Sequence, residues 1–309
     1  MLIIAVSSRA LFHIEDGNNI FEEQGQEAFD AYMRSKENMP LRPGTAFKLV
    51  KKLLALNTTT FPEKRDRVEI VLLSRNSPDA GLRVMNSIAH YGLDIERAAF
   101  CQGGDRFKYA KALGAQLFLS ANPGDVEAAM SNGLAAATML PKETDEDTAD
   151  NEVRIAFDGD SVLFSDEADE TYRKQGLQAF RDSELAQVDK PLGDGPFRPL
   201  LEELHKLQKS FADKENDPIR VALVTARGMP AHGRVIKTLR SWGVEVDEII
   251  FAGGAPKGPL LRAFGADIFF DDTKRNIESA ESCDIASGHV PYGCGGIVAE
   301  EPETESAHA

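Results

Sequence analysis

Six polar side chains in the C-terminal half of this chain are of types that together could carry out phosphoryl transfer. An Asp-Gly-Asp tripeptide, a threonine, a lysine and an acidic pair each lie beside an apolar run or at a helix start: Asp158, Asp160, Thr225, Lys257, Asp271 and Asp272. A carboxylate can attack phosphorus and form an aspartyl-phosphate, which water then hydrolyses. A second carboxylate two residues later can protonate the leaving oxygen and afterwards activate the water.

The other residues of this set suit the charge of such a reaction. Clustered carboxylates repel one another unless a cation lies among them, and oxygen ligands beside a phosphate substrate favour Mg²⁺. The Thr225 hydroxyl, the backbone N–H groups of Ala226 and Arg227, and the Lys257 ammonium can hold phosphate oxygens. The Arg227 side chain is a further candidate substrate contact. Each residue alone has a structural explanation, such as a turn or a helix cap; it is their joint occurrence in this order that favours a site.

The elements that must position these residues alternate between apolar strands and helices. Strands are predicted at 2–6, 68–73, 98–100 and 117–119, and again at 153–157, 220–224, 248–251 and 268–270, with helices between them. A last short strand is expected in each half, near 133–140 and 283–290. This alternation predicts an α/β fold with parallel sheets covered by helices. Ligands bind such sheets beyond the carboxyl ends of the strands, where the polar residues fall.

The chain also resembles itself at an offset of 151 residues. "VEIVLLSRNSPDAGLRVMNSIAHYG" (68–92) aligns with "IRVALVTARGMPAHGRVIKTLRSWG" (219–243), and "ALGAQLFLSAN" (112–122) aligns with "AFGADIFFDDT" (263–273). One offset kept over more than about 100 positions, with one single-residue slip near the start, indicates a duplicated unit. We therefore predict two tandem Rossmann-like units with small helical cap insertions.

Domain boundaries follow from this repeat and from composition. We predict a non-catalytic repeat at 1–141, an acidic linker at 142–151, a catalytic domain at 152–296 with a helical cap at about 166–215, and an acidic flexible tail at 297–309. The linker and the tail are rich in acids and poor in large apolar residues, which predicts solvated segments. Phe180 and Phe197 in the cap are candidates either for stacking on a base or for the core.

The first half lacks the acids of the second. Across the slip, Val6 and Ser8 align with Asp158 and Asp160, while Ser74 aligns with Thr225 and Arg106 with Lys257. The acidic pair is replaced by Ser120 and Ala121. Without the carboxylates we predict no hydrolysis there. The first half is then either a scaffold or a regulatory site that holds a nucleotide effector through Ser74, Arg75, Asn76 and Arg106.

The totals limit the classes of partner. The chain has 309 residues and a formal net charge of −15, which argues against nucleic acid or an anionic membrane as the main partner. No apolar stretch approaches the roughly 20 residues of a membrane span, and the N-terminal "MLIIAVSSRALF" is typical of a first strand rather than a signal peptide. The three cysteines are too few for a disulfide framework, which favours a reducing cytoplasm.

The order of these motifs resembles the haloacid dehalogenase superfamily of phosphotransferases. More narrowly, "AVSSRALF", "AFDGDSVLFSDE", "LVTARG", "GAPKGPLL", "IFFDD" and "HVPYG" together resemble the cytosolic 5′-nucleotidase type I family over nearly the whole chain. The resemblance implies a Mg²⁺-dependent hydrolase of nucleoside 5′-monophosphates, AMP among them, in the cytosol.

The resemblance also implies a role for each matching residue. Asp158 would be the nucleophile, Asp160 the acid and base, and Thr225 and Lys257 the phosphate contacts. The metal would be held by Asp158, the Asp160 carbonyl, Asp271 and Asp272. A phosphatase acting on another small phosphate ester and a non-catalytic nucleotide sensor are the alternatives. The sequence leaves open the base and sugar preference, the effectors, a homo-oligomeric state and the pathway.

Overall fold

Ten strands form one continuous sheet in the computed structural model, which describes residues 1–57, 67–146, 150–211 and 217–293. The predicted tail at 297–309 lies outside these ranges. In the first half the elements are β1 (Leu2–Val6), α1 (Ser8–Leu11), β2 (Phe12–His13), α2 (Glu15–Gln24), α3 (Gln26–Ser35), β3 (Arg42–Pro43), α4 (Phe47–Ala55), β4 (Val68–Ser74), α5 (Pro78–His90), β5 (Arg97–Phe100), α6 (Phe107–Leu113), β6 (Leu117–Ser120), α7 (Pro123–Ser131) and β7 (Ala135–Met139).

The second half repeats this alternation. Its elements are β8 (Val153–Phe157), α8 (Glu167–Ala186), α9 (Arg198–Lys209), β9 (Ile219–Thr225), α10 (His232–Trp242), β10 (Glu248–Phe251), α11 (Lys257–Phe264), β11 (Ile268–Asp271), α12 (Lys274–Glu281) and β12 (Ser287–His289). The strands lie within about two residues of the predicted bounds for the long apolar runs, and the predicted α/β class with parallel strands is confirmed.

The order of the strands is the same in both halves. It is β5-β4-β1-β6-β7 in the first half and β10-β9-β8-β11-β12 in the second, with parallel pairing throughout each. The two sets are joined by one antiparallel pair between β7 and β12, in which Gly288 lies opposite Met139. The predicted tandem units therefore share a single sheet, an arrangement that the sequence pattern did not indicate.

The core is also shared between the halves. The central strands are almost wholly buried because helices cover both faces of the sheet, which is why their sequences are continuous apolar runs rather than alternating ones. Helix α4 of the first half contacts β8 of the second, and α9 of the second half contacts β1 of the first. One apolar cluster consequently includes side chains of both halves.

The connection between α8 and α9 reaches this core through Phe197. Phe197 is fully buried, with its ring centroid 6.3 Å from that of Phe157 and 5.0 Å from that of Phe270. Of the two candidate base-stacking rings, Phe197 is thus a core residue. Helix α9 follows it and buries Leu200, Leu201 and Leu204.

The described part of the acidic linker is mostly exposed, and hydrogen bonds attach it to the first half. Thr144 N–H donates to the Pro43 carbonyl at 3.0 Å, and the Lys51 ammonium donates to the Glu146 carbonyl at 2.8 Å. Residues 147–149 lie outside the described ranges. Among the helices described, none combines the length and the apolar character that crossing a membrane requires.

Candidate active site

Three neighbouring parallel strands bring the predicted site residues together. Thr225 is the last residue of β9, Asp158 directly follows β8, and Asp271 is the last residue of β11. Because these strands are adjacent in the order β9-β8-β11 and run parallel, their carboxyl ends meet at one edge of the sheet. Lys257 reaches the same edge from the first turn of α11.

The Lys257 ammonium lies between two carboxylates. Its Nζ is 2.7 Å from Asp158 Oδ1 and 2.7 Å from Asp271 Oδ2, and all three side chains are buried. Burial alone would lower the pKa of Lys257, but the two carboxylates outweigh it and raise that pKa above its ordinary value. The lysine therefore stays charged at the point where a phosphate would enter.

Close packing of two helices holds this lysine in place. Gly258, the next residue of α11, lies so near α12 that a Cβ atom built on it would be 2.3 Å from the Ser279 carbonyl oxygen. Its backbone N–H also donates to Ser279 Oγ at 3.2 Å. Only a glycine allows this approach, so the glycine after the lysine has a positional function.

Three carboxylates form a group that could hold a cation. Asp158, Asp271 and Asp272 each offer an oxygen, and these oxygens all lie within 4.8 Å of one another. The Asp271 carboxylate accepts the Thr273 N–H at 2.8 Å and the Asn276 side-chain amide at 3.1 Å, which fixes its orientation. Buried all-oxygen donors of this kind suit a hard divalent cation such as Mg²⁺.

The electrostatics of these acids reflect their burial. Burial raises the pKa of Asp158 well above its ordinary value; Lys257 opposes that rise, and Asp271 and Asp272 add to it. Burial, followed by the neighbouring Asp271, raises the pKa of Asp272 to about 8. Asp158 and Asp272 therefore take up protons more readily than exposed aspartates do, and a positive charge nearby would keep them ionised.

Asp160 is held in a different way from the other acids. Its carboxylate accepts two hydrogen bonds from Arg227, at 2.7 Å from Nε and 2.6 Å from Nη2. The third nitrogen of Arg227, Nη1, donates to Glu184, and Glu184 in turn accepts from Arg234 Nη1 at 2.8 Å. Arg227, predicted as a substrate contact, is therefore engaged with protein carboxylates. The predicted metal contact of the Asp160 carbonyl stays a prediction.

The turn after β9 lies against the Asp-Gly-Asp loop, and its predicted phosphate contacts stay a prediction. Thr225 Oγ1 accepts the backbone N–H of Arg227 at 3.2 Å, which closes the turn. A Cβ atom built on Gly159 would lie 3.3 Å from the same hydroxyl, so the Asp-Gly-Asp loop and this turn face each other. Ala226, between Thr225 and Arg227, is exposed.

Sequence reasoning missed three polar residues around this site. Glu184 is buried between two arginines, and Asn276 binds Asp271. Asp169 on α8 is close enough to Asp272 to add to the rise in its pKa, and burial together with Asp160 raises the pKa of Asp169 to about 6. Of the three, Asp169 alone lay in a local signal, the short acidic string "SDEADE" after the Asp-Gly-Asp loop.

The register of the strands corrects one alignment between the halves. Ser7 N–H donates to the Leu119 carbonyl at 2.8 Å, just as Asp158 N–H donates to the Phe270 carbonyl at 2.8 Å. Ser7, rather than Val6, therefore occupies the place of Asp158, and the one-residue slip falls after it. The first half also has a buried carboxylate that the alignment overlooked, since Asp125 on α7 binds Arg106.

Comparison with known proteins agrees with this geometry. The family model described as 5′-nucleotidase matches residues 1–296. The chain is 42% identical over 287 residues to human cytosolic 5′-nucleotidase 1B, a match that covers 91% of this chain and 47% of that protein. The chain thus spans about half the length of this curated relative. No solved structure matches. The match over nearly its whole length shows that this chain belongs to the 5′-nucleotidase family, whose name denotes phosphoric monoester hydrolases.

Proposed function

We propose that this chain is a cytosolic, Mg²⁺-dependent 5′-nucleotidase that hydrolyses nucleoside 5′-monophosphates through a phosphorylated Asp158. The observation that carries the proposal is the position of the Lys257 ammonium, 2.7 Å from both Asp158 and Asp271 at the carboxyl ends of β8 and β11. The family and the name of the human relative support a nucleotide substrate.

The first step forms a bond between Asp158 and phosphorus. An oxygen of Asp158 attacks the phosphorus atom, the bond from phosphorus to the 5′ oxygen breaks, and that oxygen takes a proton from Asp160. Lys257 and the Thr225 turn hold the phosphoryl oxygens and offset the developing charge. Bound Mg²⁺, held by Asp158, Asp271 and Asp272, would neutralise further negative charge in this step.

The second step releases phosphate. Asp160 takes a proton from water, the water oxygen attacks phosphorus, and the bond between phosphorus and Asp158 breaks. Both oxygens of Asp160 accept hydrogen bonds from Arg227, so this pair must open before Asp160 can exchange a proton with the substrate or water. A substrate phosphate is an alternative partner for the Arg227 guanidinium. Substrate binding would therefore release Asp160 and place Arg227 on the phosphate in the same step.

The base would bind near α8. The half-buried ring of Phe180 lies 5.5 Å from the Arg227 guanidinium carbon and offers a flat apolar face beside the site. An aromatic face accepts every base, so this contact supports nucleotides over sugar phosphates without selecting one base.

Phosphate release from AMP tests the proposal. Wild type with Mg²⁺ is expected to release phosphate, and Asp158→Asn, or wild type in EDTA, is expected to release at least about 1,000-fold less, because the nucleophile or the counter-charge is missing. The surface variant Asp189→Asn is the control. A panel of esters separates the alternatives: equal rates on sugar phosphates would favour a general phosphatase, and AMP binding with no release would favour a sensor.

We also propose that the two halves descend from one duplicated unit. The identical strand order supports this, as do two glycines with the same backbone conformation at a helix bend, Gly25 with φ 83° and Gly176 with φ 81°. Arg83 and Arg234, 151 positions apart, each donate from Nε to the carbonyl of a residue in the preceding segment, Met39 and Lys190 respectively. The first half would then have kept the fold and lost the acids.

A further inference from the structure

The first half contains a cavity of about 570 Å³ at the carboxyl ends of its own strands. This position is equivalent to that of the candidate active site in the second half. Its floor is formed by residues at the carboxyl ends of β1, β4 and β6, including Ser7, Asn76 and Ser120. Its wall comes from α2 and α3. This volume lies within the roughly 300–1,000 Å³ of small-molecule pockets.

Donors without partners lie at or beside the polar end of this cavity: Asn76 lines it, and Arg106 lies behind Asp125. Arg106 is 4% exposed, and its Nη2 donates to Asp125, which lines the cavity. Within the described part of the chain, Arg106 Nε and Nη1 and the Asn76 Nδ2 have no hydrogen-bond partner. Buried polar groups are normally paired, so the two unpaired nitrogens of Arg106 and the unpaired amide of Asn76 indicate a missing acceptor.

The charge of this end is opposite to that of the catalytic site. In the described second half, the acids Asp158, Asp160, Asp271 and Asp272 outnumber the cations paired with them, Lys257 and Arg227, so anion binding there needs an added cation. Among the described residues of the first half, Asp125 is the one buried acid, and it faces two arginines: Arg106, and Arg75 at 3.5 Å. An anion can therefore bind directly to the excess positive charge.

The other end of the cavity is apolar and aromatic. Ile14, Phe21 and Phe29 line it, and the Phe21 and Phe29 ring centroids are 6.2 Å apart in an edge-to-face arrangement. Phe21 is 45% exposed despite its size. An exposed ring on a cavity wall is suited to stacking with a planar group.

We propose that this cavity binds a nucleoside phosphate without a divalent cation and without hydrolysing it. The phosphate lies toward Arg75, Arg106 and Asn76, and the base toward Phe21. No carboxylate takes the position of Asp158, where Ser7 accepts the Ala10 N–H at 3.2 Å. The site is separate from the proposed hydrolytic centre, and its occupancy does not depend on hydrolysis.

Equilibrium binding of AMP, and separately of ADP, to the full chain in EDTA tests this proposal. We expect about one nucleotide per chain for wild type. Arg75→Ala should weaken binding at least about tenfold, because a charge-assisted contact is lost. Ser120→Asp should weaken it further by placing a carboxylate beside the phosphate. Arg75 is largely exposed, so its variant keeps the fold even if the buried Ser120→Asp does not.

Two controls identify the site that is occupied. Arg34→Ala, which removes an exposed arginine outside the cavity, and Lys257→Met, in the catalytic site, should both bind as wild type does. Loss of binding in Lys257→Met, unchanged binding in Arg75→Ala, or no binding of either nucleotide would overturn the proposal. Phosphate release measured in parallel separates the two claims, since hydrolysis without EDTA-resistant binding leaves the proposed function intact.

Discussion

At the scale of single residues, Lys257 links two acids with different roles. Its ammonium contacts both the proposed nucleophile, Asp158, and the proposed metal ligand, Asp271. The single positive charge of the ammonium offsets the carboxylates before substrate binds. The same ammonium can then donate hydrogen bonds to the oxygens of a bound phosphate. The same contact therefore serves stability and the proposed chemistry.

The variant Lys257→Met should lower kcat for AMP by at least about 100-fold, because a positioned charge at the transition state is lost. Lys257→Arg should not restore the rate, since a planar guanidinium does not fit between two carboxylates placed for a compact ammonium. Steady-state phosphate release at saturating Mg²⁺ measures both. A rate in Lys257→Arg close to wild type would contradict this geometry.

Glu184 is the buried acid whose loss should have the largest structural effect. It accepts from both Arg227 and Arg234, and its side chain is 2% exposed. Glu184→Gln leaves two buried guanidinium groups with too little negative charge, which should lower the free energy of unfolding by about 3 kcal/mol. Arg227 should then bind Asp160 more tightly, so kcat should fall more than KM rises. Urea unfolding and steady-state kinetics measure the two effects.

A matched surface acid provides the comparison for Glu184. Glu203 pairs with Lys206 on the exposed side of α9, and Glu203→Gln should change the free energy of unfolding by less than about 1 kcal/mol. Equal losses in the two variants would mean that the arginine pair does not depend on Glu184.

Local sequence pattern predicted some of the residues of the candidate site but not others. Asp158, Thr225 and Asp271 were found because each directly follows or ends an apolar strand, which is a local signal. Glu184 lies within a polar helical sequence, and its partners are 43 and 50 positions away, so nothing near it indicated burial. Its role depends on the packing of α8 against α10, which local pattern does not specify.

At the scale of elements, the strands were predictable and their association was not. Apolar runs flanked by turns located the strands of the large sheet, because a strand buried on both faces must be apolar along its length. They did not indicate the two-residue strands β2 and β3. The antiparallel pairing of β7 with β12 joins two three- to five-residue strands from different halves. Whether two repeats form one sheet or two depends on how well their edge strands fit each other. The short apolar sequences of β7 and β12 do not indicate that fit.

The contact of α11 with α12 yields a test at this scale. Gly258→Ala places a methyl group 2.3 Å from the Ser279 carbonyl oxygen, so α11 must shift and move Lys257. We expect the free energy of unfolding to fall by about 1–3 kcal/mol and AMP hydrolysis to fall with it. Thermal unfolding and phosphate release measure these changes.

Another helical glycine supplies the control. A Cβ atom on Gly233, in α10, meets only a Val188 methyl group at 3.1 Å, and that side chain can move. Gly233→Ala should therefore be neutral or stabilising by up to about 1 kcal/mol through helix propensity. If both alanines had the same effect, helix propensity rather than the α11 contact would explain the result.

At the scale of the whole molecule, the two halves form one structural unit. The sheet is continuous, and α4 and α9 each reach a strand of the other half. The proposed catalytic half therefore depends on the first half for part of its core. This dependence agrees with the scaffold interpretation of the first half. It is also compatible with a ligand site in that half, because the cavity lies at the carboxyl ends of β1, β4 and β6.

Lys52 is a buried polar link between the halves. It lies on α4, is 5% exposed, and donates to Asp267 Oδ1 at 2.7 Å, Asp150 Oδ1 at 2.9 Å and the Glu152 carbonyl at 2.9 Å. Asp267 immediately precedes β11, and its Oδ2 accepts the Arg154 N–H of β8 at 2.8 Å. One ammonium therefore connects α4 of the first half to the two strands that carry Asp158 and Asp271.

Lys52→Met should lower the free energy of unfolding by about 3–5 kcal/mol, because Asp267 is left as a buried charge without its partner. Asp267→Asn in the same chain should recover part of that loss, since the uncompensated charge is removed while the Arg154 contact can persist. The neighbouring Lys51→Met removes an exposed ammonium bound to the Glu146 carbonyl and should have little effect. Urea unfolding measures all of these variants. Wild type, Lys52→Met, Asp267→Asn and the double variant form a double-mutant cycle, and Lys51→Met is the control outside it. If Lys52→Met and Lys51→Met lost stability equally, the link between the halves would be apolar packing alone, and the site would tolerate loss of this ion pair.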